Sequence, residues 1–200
     1  TLEAARQARL LEPDLIVAQG TEAGGHGADE SLRSLLPAVI DAAGPIPVAA
    51  AGGIANGQSV AEALALGASG VLIGTRFFAT REALGPEQAK QRLVSSRAAS
   101  TLRTRVFDIV RRLHWPTGFT GRAIGNSFSA RWHGHEAELE ARIDIEHERY
   151  RAAAATADLS TVVVWAGLGI DSIDSIEPAS EVMARLVRET EQALSDFSQR

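Results

Sequence analysis

Apolar and polar positions alternate in long blocks over the first 80 residues, and the blocks follow a βα rhythm. Residues 2–11 have helical spacing and stop at Glu12-Pro13, because a residue before proline is pushed out of the helical region. Residues 15–19 (Leu-Ile-Val-Ala-Gln) form a first apolar run, 46–51 (Ile-Pro-Val-Ala-Ala-Ala) a second and 70–73 (Gly-Val-Leu-Ile) a third. Between them, residues 31–43 and 58–66 carry helical periodicity, with Pro37 suited to the first turn of the second half of 31–43 and Gly67 to the residue after a helix end. The strand-like runs are continuous rather than alternating. That pattern predicts a parallel sheet covered on both faces.

From about residue 81 the pattern changes. Residues 86–96 predict a helix with Pro86 near its start, and 101–107 alternate like a strand. Residues 111–132 hold Gly, Pro, Asn and two of the three tryptophans, and predict loops and short turns. Residues 136–157, rich in Glu, Arg and Ala, predict one long helix with a solvated face of i,i+4 pairs. Residues 161–165 are a short β-branched run that ends at Ala166-Gly167. Residues 178–197 predict an amphipathic helix with Val182, Leu186 and Val187 on its apolar side.

Three parallel strands cannot close a (β/α)₈ barrel, which needs eight. The chain therefore predicts either another open α/β fold or the C-terminal portion of a barrel. An opening residue Thr1 inside a helical pattern favours the second.

The bulk numbers narrow the function classes. Hydrophobic residues make up 45% and charged residues 22%, as expected of a folded globular chain. The net charge of −5 gives a nucleic-acid role no electrostatic support. Cysteine is absent, which excludes disulfides and thiol nucleophiles and fits a reducing, cytoplasmic setting. No run reaches the roughly 20 apolar residues needed to cross a bilayer. A homo-oligomer is compatible with all of this.

Chemistry concentrates at the ends of the three runs. They lead into Gly24-Gly25-His26-Gly27, Gly52-Gly53 and Gly74-Thr75. Glycine lets backbone N–H groups approach an anion, and a helix start after Gly52-Gly53 would add free donors. In a parallel sheet these ends share the face where ligands bind. Taken singly, the glycines are ordinary tight turns. Taken together, they predict a phosphate site with His26 beside it as an acid or base. Gln19 ends the first strand, where it could hydrogen-bond a cofactor or be a plain polar strand end, and Glu22 is placed to orient the loop. His133, His135 and Glu136 lie close together, but lack a second cluster at metal-ligand spacing. The tryptophans are read as packing residues.

The segments Gln19-Gly20-Thr21-Glu22-Ala23-Gly24-Gly25-His26-Gly27, Pro47-Val48-Ala49-Ala50-Ala51-Gly52-Gly53-Ile54, Ala63-Leu64-Ala65-Leu66-Gly67-Ala68 and Gly74-Thr75-Arg76-Phe77 resemble the nitronate monooxygenases. The likeness is close over residues 10–82 and looser through Asn126, Trp132-His133-Gly134, Trp165-Ala166-Gly167 and Pro178-Ala179. It implies an α/β fold: strands 6–8 of a TIM barrel over residues 1–82, then a mainly helical region over 83–200. It implies FMN as cofactor, bound by Gln19, Gly24, Gly25, Gly52, Gly53, Gly74 and Thr75, with no metal. It implies that His26 takes the α-proton of a nitroalkane or holds the nitronate, which O₂ oxidation converts to a carbonyl compound and nitrite. Ala166-Gly167 would return toward the flavin. Three alternatives stay open: an FMN-dependent enoyl-acyl-carrier-protein reductase, a non-catalytic flavin- or phosphate-binding module, and a barrel for another phosphorylated ligand such as a sugar phosphate.

Overall fold

A computed structural model describes residues 1–198. It opens with helix α1 (Leu2–Arg9), capped by the Thr1 hydroxyl on Ala4 N. The chain turns at Glu12, which has a positive φ of 47°. Strands β1 (Ile16–Gln19), β3 (Val48–Ala51) and β4 (Gly70–Leu72) form a parallel sheet in the order β1-β3-β4. The alternating helices are α2 (Leu32–Ala43) and α3 (Gly57–Ala65), each opened by a side-chain cap, from Ser31 and Asn56 respectively. The βα rhythm of the sequence is therefore present. The sheet is open, so this part is a partial barrel that does not close.

The register shows one face of that sheet covered and the other open at its outer strands. Ala18, Ala50 and Val71 lie in one row and pack, with Ile16 and Val48, against Leu35, Leu36 and Val39 of α2 and Val60 and Ala63 of α3. The opposite rows are Val17-Ala49-Gly70 and Gln19-Ala51-Leu72. There Val17 is 43% exposed and Leu72 55%. The sequence expectation of a sheet covered on both faces thus holds for β3, which is buried throughout, and fails at the outer strands. Continuous apolar character does not distinguish a two-sided layer from small residues that line an opening.

Beyond the parallel sheet, α4 (Thr75–Phe78) and α5 (Glu87–Ser95) precede a short 3₁₀ turn and β5 (Thr101–Thr104). Then come α6 (Val106–Val110), β6 (Thr120–Ile124) and α7 (Ser127–Trp132). These last elements correct the reading of 111–132 as loops and turns. β6 is the centre of a second, antiparallel sheet, whose other strands are β5 and β2 (Gly25–Gly27). Gly121 in β6 stands where an added Cβ would collide with the Trp165 ring, so a tertiary contact selects this glycine-bearing strand. The glycine loop around His26 is correspondingly part of a sheet, with His26 opposite Gly121.

The predicted long helix of 136–157 is two helices, α8 (Glu136–Ala141) and α9 (Ile143–Ala155), broken at Arg142 (φ −115°, ψ 17°). The break allows Leu139 and Tyr150 to enter one core with Val106, Phe107 and Trp132. Residues 161–165 form no strand; Trp165 makes a single bridge to Ala123. The chain then passes through a 3₁₀ segment (Leu168–Ser172) to α10 (Ala179–Ser198), which packs on α3. Val182 and Leu186 are buried in the core of the parallel sheet as expected, whereas Val187 is exposed.

Candidate functional site

The parallel register sets Gln19, Ala51 and Leu72 side by side at the C-terminal ends of β1, β3 and β4. These ends open into a cavity of about 640 Å³. Gln19, Gly24, Gly52, Gly53, Gly74 and Thr75 all line it. Gly25, the remaining predicted glycine, does not line it; it has φ +75° and open space at its Cβ position. The positive φ there gives the loop the turn that a side chain would oppose.

The glycines do different work. Gly24 packs so closely on the Ala166-Gly167 backbone that an added Cβ would sit 2.7 Å from Gly167 N. Gly169 makes a similarly close approach to Gly53 O. Gly167 N donates to Thr75 Oγ1 at 3.0 Å, and Leu168 N donates to Glu22 O at 2.8 Å. The segment 166–169 is thereby pinned across two strand ends, and Gly167 and Gly169 line the cavity. Gly74 differs: nothing lies near its Cβ position, and it opens α4 without a side-chain cap.

One expected donor set is already used. Gly57 N, at the start of α3, donates to the Glu189 carboxylate from α10 at 2.8 Å, and Ser59 N donates to Asn56 Oδ1 at 2.9 Å. An internal carboxylate thus occupies the helix start that the sequence suggested for a ligand anion. The remaining anion-compatible backbone is at Gly52-Gly53 and Gly74-Thr75.

His26 is placed from several directions. Gln19 Nε2 donates to the His26 carbonyl. Arg103 donates to the carbonyls of Thr21, Gly27 and Thr120, and Arg122 to that of Thr21 at 3.1 Å. Burial lowers both guanidinium pKa values, and Asp29 and Glu22 oppose the shift at Arg103. Glu22 itself accepts from Leu32 N at 2.9 Å, fastening the loop to the start of α2 as its expected orienting role requires.

The imidazole Nε2 lies 2.7 Å from Asp108 Oδ1, and Trp115 stacks on the ring at 3.9 Å with a 10° interplanar angle. Trp165 stands at 5.0 Å in a tilted arrangement. His26 is not itself a lining residue; it lies against Trp165, which is. Asp108, Trp115 and Trp165 are residues that sequence reasoning missed as site components. Asp108 follows His26 by 82 positions with no local motif. The packing role expected of the tryptophans fits buried Trp132 but not Trp115, 45% exposed and stacked on His26. Arg111 and Tyr150 also line the cavity; the Tyr150 hydroxyl accepts from Val163 N, and burial raises its pKa. His133 bonds Thr104 and His135 bonds Glu138; among the described residues no group of three or more His, Asp or Glu could hold a metal.

The family model of nitronate monooxygenase matches residues 1–189. The chain belongs to that family. A nitronate monooxygenase of Neurospora crassa is 32% identical over 97% of this chain and 53% of its own length. The nitroalkane oxidase structure from Streptomyces ansochromogenes is 34% identical, with a TM-score of 0.80 over 98% of this chain and 57% of that one. FabK from Thermotoga maritima has a TM-score of 0.82 at 25% identity, over 100% of this chain and 61% of its own. The chain spans about half the length of the curated nitronate monooxygenases it matches. No helix among its described residues is long and apolar enough to cross a membrane.

Proposed function

We propose that this chain contributes an FMN site and the base of a reaction that oxidises alkyl nitronates, or the nitroalkanes they come from, with O₂. The observation that carries the reading is the convergence of three glycine-bearing strand ends on one cavity, with an imidazole–carboxylate pair beside its wall. Family membership and the likeness to a nitroalkane oxidase support the substrate class.

The residues present fit FMN. The cavity walls are largely apolar, with Ile54, Val162, Val163, Val164 and Trp165, which suits a flat aromatic ring. Gly74, with open space at its Cβ position, and Thr75 at an uncapped helix start suit a phosphate, with Gly52 and Gly53 beside them. Gln19 and Gly24 would face the ring, and Gly25 gives their loop its path. FMN, when bound, would accept the electrons of the oxidation. This chain's residues bind and orient it, and His26 takes a proton from substrate carbon. The same reading assigns residues 1–82 to barrel strands 6–8 and 83–200 to a region packed on them, in a cytoplasmic protein that needs no metal.

Absorbance spectroscopy with added FMN tests this. Flavin bands that co-purify with the chain and bleach on anaerobic addition of a nitronate are the expected result. Bands that ignore nitronate and bleach with NADH would favour the FMN-dependent enoyl-acyl-carrier-protein reductase reading instead. Failure to retain flavin would overturn the cofactor assignment.

A further inference from the structure

We propose that Asp108 is the positioning residue of His26: it holds the imidazole with Nε2 protonated and leaves Nδ1 as the proton acceptor. The proposal rests on the base role given to His26 above. Asp108 lies in the first turn of α6, a helix that the sequence pattern did not separate from the preceding strand. Its side chain is 5% exposed and that of His26 14%. A buried carboxylate oxygen accepts, so at 2.7 Å the ring nitrogen facing Asp108 Oδ1 is the donor. Nδ1 has no hydrogen-bond partner among the described residues.

Two further observations make this pair more than packing. Asp108 Oδ2 is buried without any hydrogen-bond partner, so among the described residues His26 is the one side chain hydrogen-bonded to the carboxylate. Buried polar groups are ordinarily satisfied, and a carboxylate left with a single partner is a costly arrangement for stability alone. The ring is also held in plane: Trp115 stacks on one side, and Trp165 stands against it where Gly121 leaves room. Carboxylate and rings together restrict the imidazole to one orientation.

The chemistry balances within the pair and its substrate. The Cα–H bond of a nitroalkane breaks, and the proton passes to Nδ1. The electron pair left on carbon delocalises onto the nitro oxygens, giving the nitronate. The ring becomes an imidazolium with Nε2–H still directed at the Asp108 carboxylate, which supplies the opposing charge and remains ionised. A substrate supplied as the preformed nitronate skips this step.

That difference separates a positioning role from a structural one. In Asp108→Asn, kcat/KM for a neutral nitroalkane should fall at least about 10-fold, while that for the matching nitronate stays within about 2-fold. Equal losses on both substrates would overturn the proposal. A proton NMR spectrum of wild type tests the geometry without any variant: it should contain a downfield imidazole N–H, protected from solvent exchange, with an Overhauser contact to the Asp108 β-protons. The signal should vanish in His26→Gln and in Asp108→Leu. Its absence from wild type, or its persistence in Asp108→Leu, would overturn the proposal. Wild type inactive on both substrates would instead sink the nitronate reading, and the resonance would still decide the pair.

Discussion

At the scale of single residues, close approach explains Gly24, whereas Gly25, Gly52 and Gly53 have the positive φ that favours glycine. Gly24 has no room for a methyl group because the Ala166-Gly167 backbone already fills the space. Gly24→Ala is expected to cost roughly 1–3 kcal/mol by forcing that segment away, measured as a lowered urea midpoint at unchanged slope. His26→Asn is expected to lower turnover of a neutral nitroalkane by about 10²-fold or more while FMN binding persists; steady-state rates and a flavin titration check both halves. Charge at Glu177 acts on stability. Arg185 and Ser175 hold its carboxyl at about 2, below the ordinary 4.5. Because the folded-state pKa is depressed, the stabilisation is complete above about pH 4.5 and is lost as the pH falls through about 2. Glu177→Gln should therefore flatten the pH dependence of unfolding in that window, as followed by circular dichroism.

At the scale of elements, helices were legible where caps and apolar spacing agree, as in α2 and α3, and in α10 from apolar spacing. Residue Pro37 stands exposed inside α2, where it removes a backbone donor and crowds the carbonyl of Arg33 four residues earlier. Pro37→Ala is expected to raise stability by roughly 1–3 kcal/mol, read from thermal unfolding. The break at Arg142 and strand β6 were not legible. Both exist to satisfy partners distant in sequence: Leu139 and Tyr150 in a shared core, and Trp165 over Gly121. Helical propensity runs straight through residue 142, and no local signal marks residues 120–124 as the middle of a sheet.

For the whole molecule, the docking of α10 on α3 ties the end of the chain to its first core. Gly57 is a point of close approach, with the Glu189 backbone and side chain in the space a Cβ would need, and the Thr190 hydroxyl donates to the Gly57 carbonyl. Gly57→Val should release α10, seen as faster amide exchange over its described residues with the remaining sheet still protected. The parallel sheet also ends in two unpaired edges, β1 and β4, flanked by exposed Val17 and Leu72. Such edges template pairing with other chains. The isolated 200-residue chain is expected to self-associate with concentration in sedimentation velocity, and Val17→Lys with Leu72→Lys should return it toward monomer.

The sequence by itself determined the three βα units, the shared end of their strands and the glycines that gather there. Local pattern suffices for these because each strand ends in its own glycine turn and parallel pairing puts equivalent ends together. It also singled out His26, which stands on a glycine loop after a strand and not on an apolar helical face. Only the tertiary structure decided what surrounds that histidine. Asp108, Trp115 and Trp165 come from three later segments, and they meet His26 because β2 joins the antiparallel sheet of β5 and β6. Long-range pairing of this kind is set by the packing of whole elements, which no local spacing encodes.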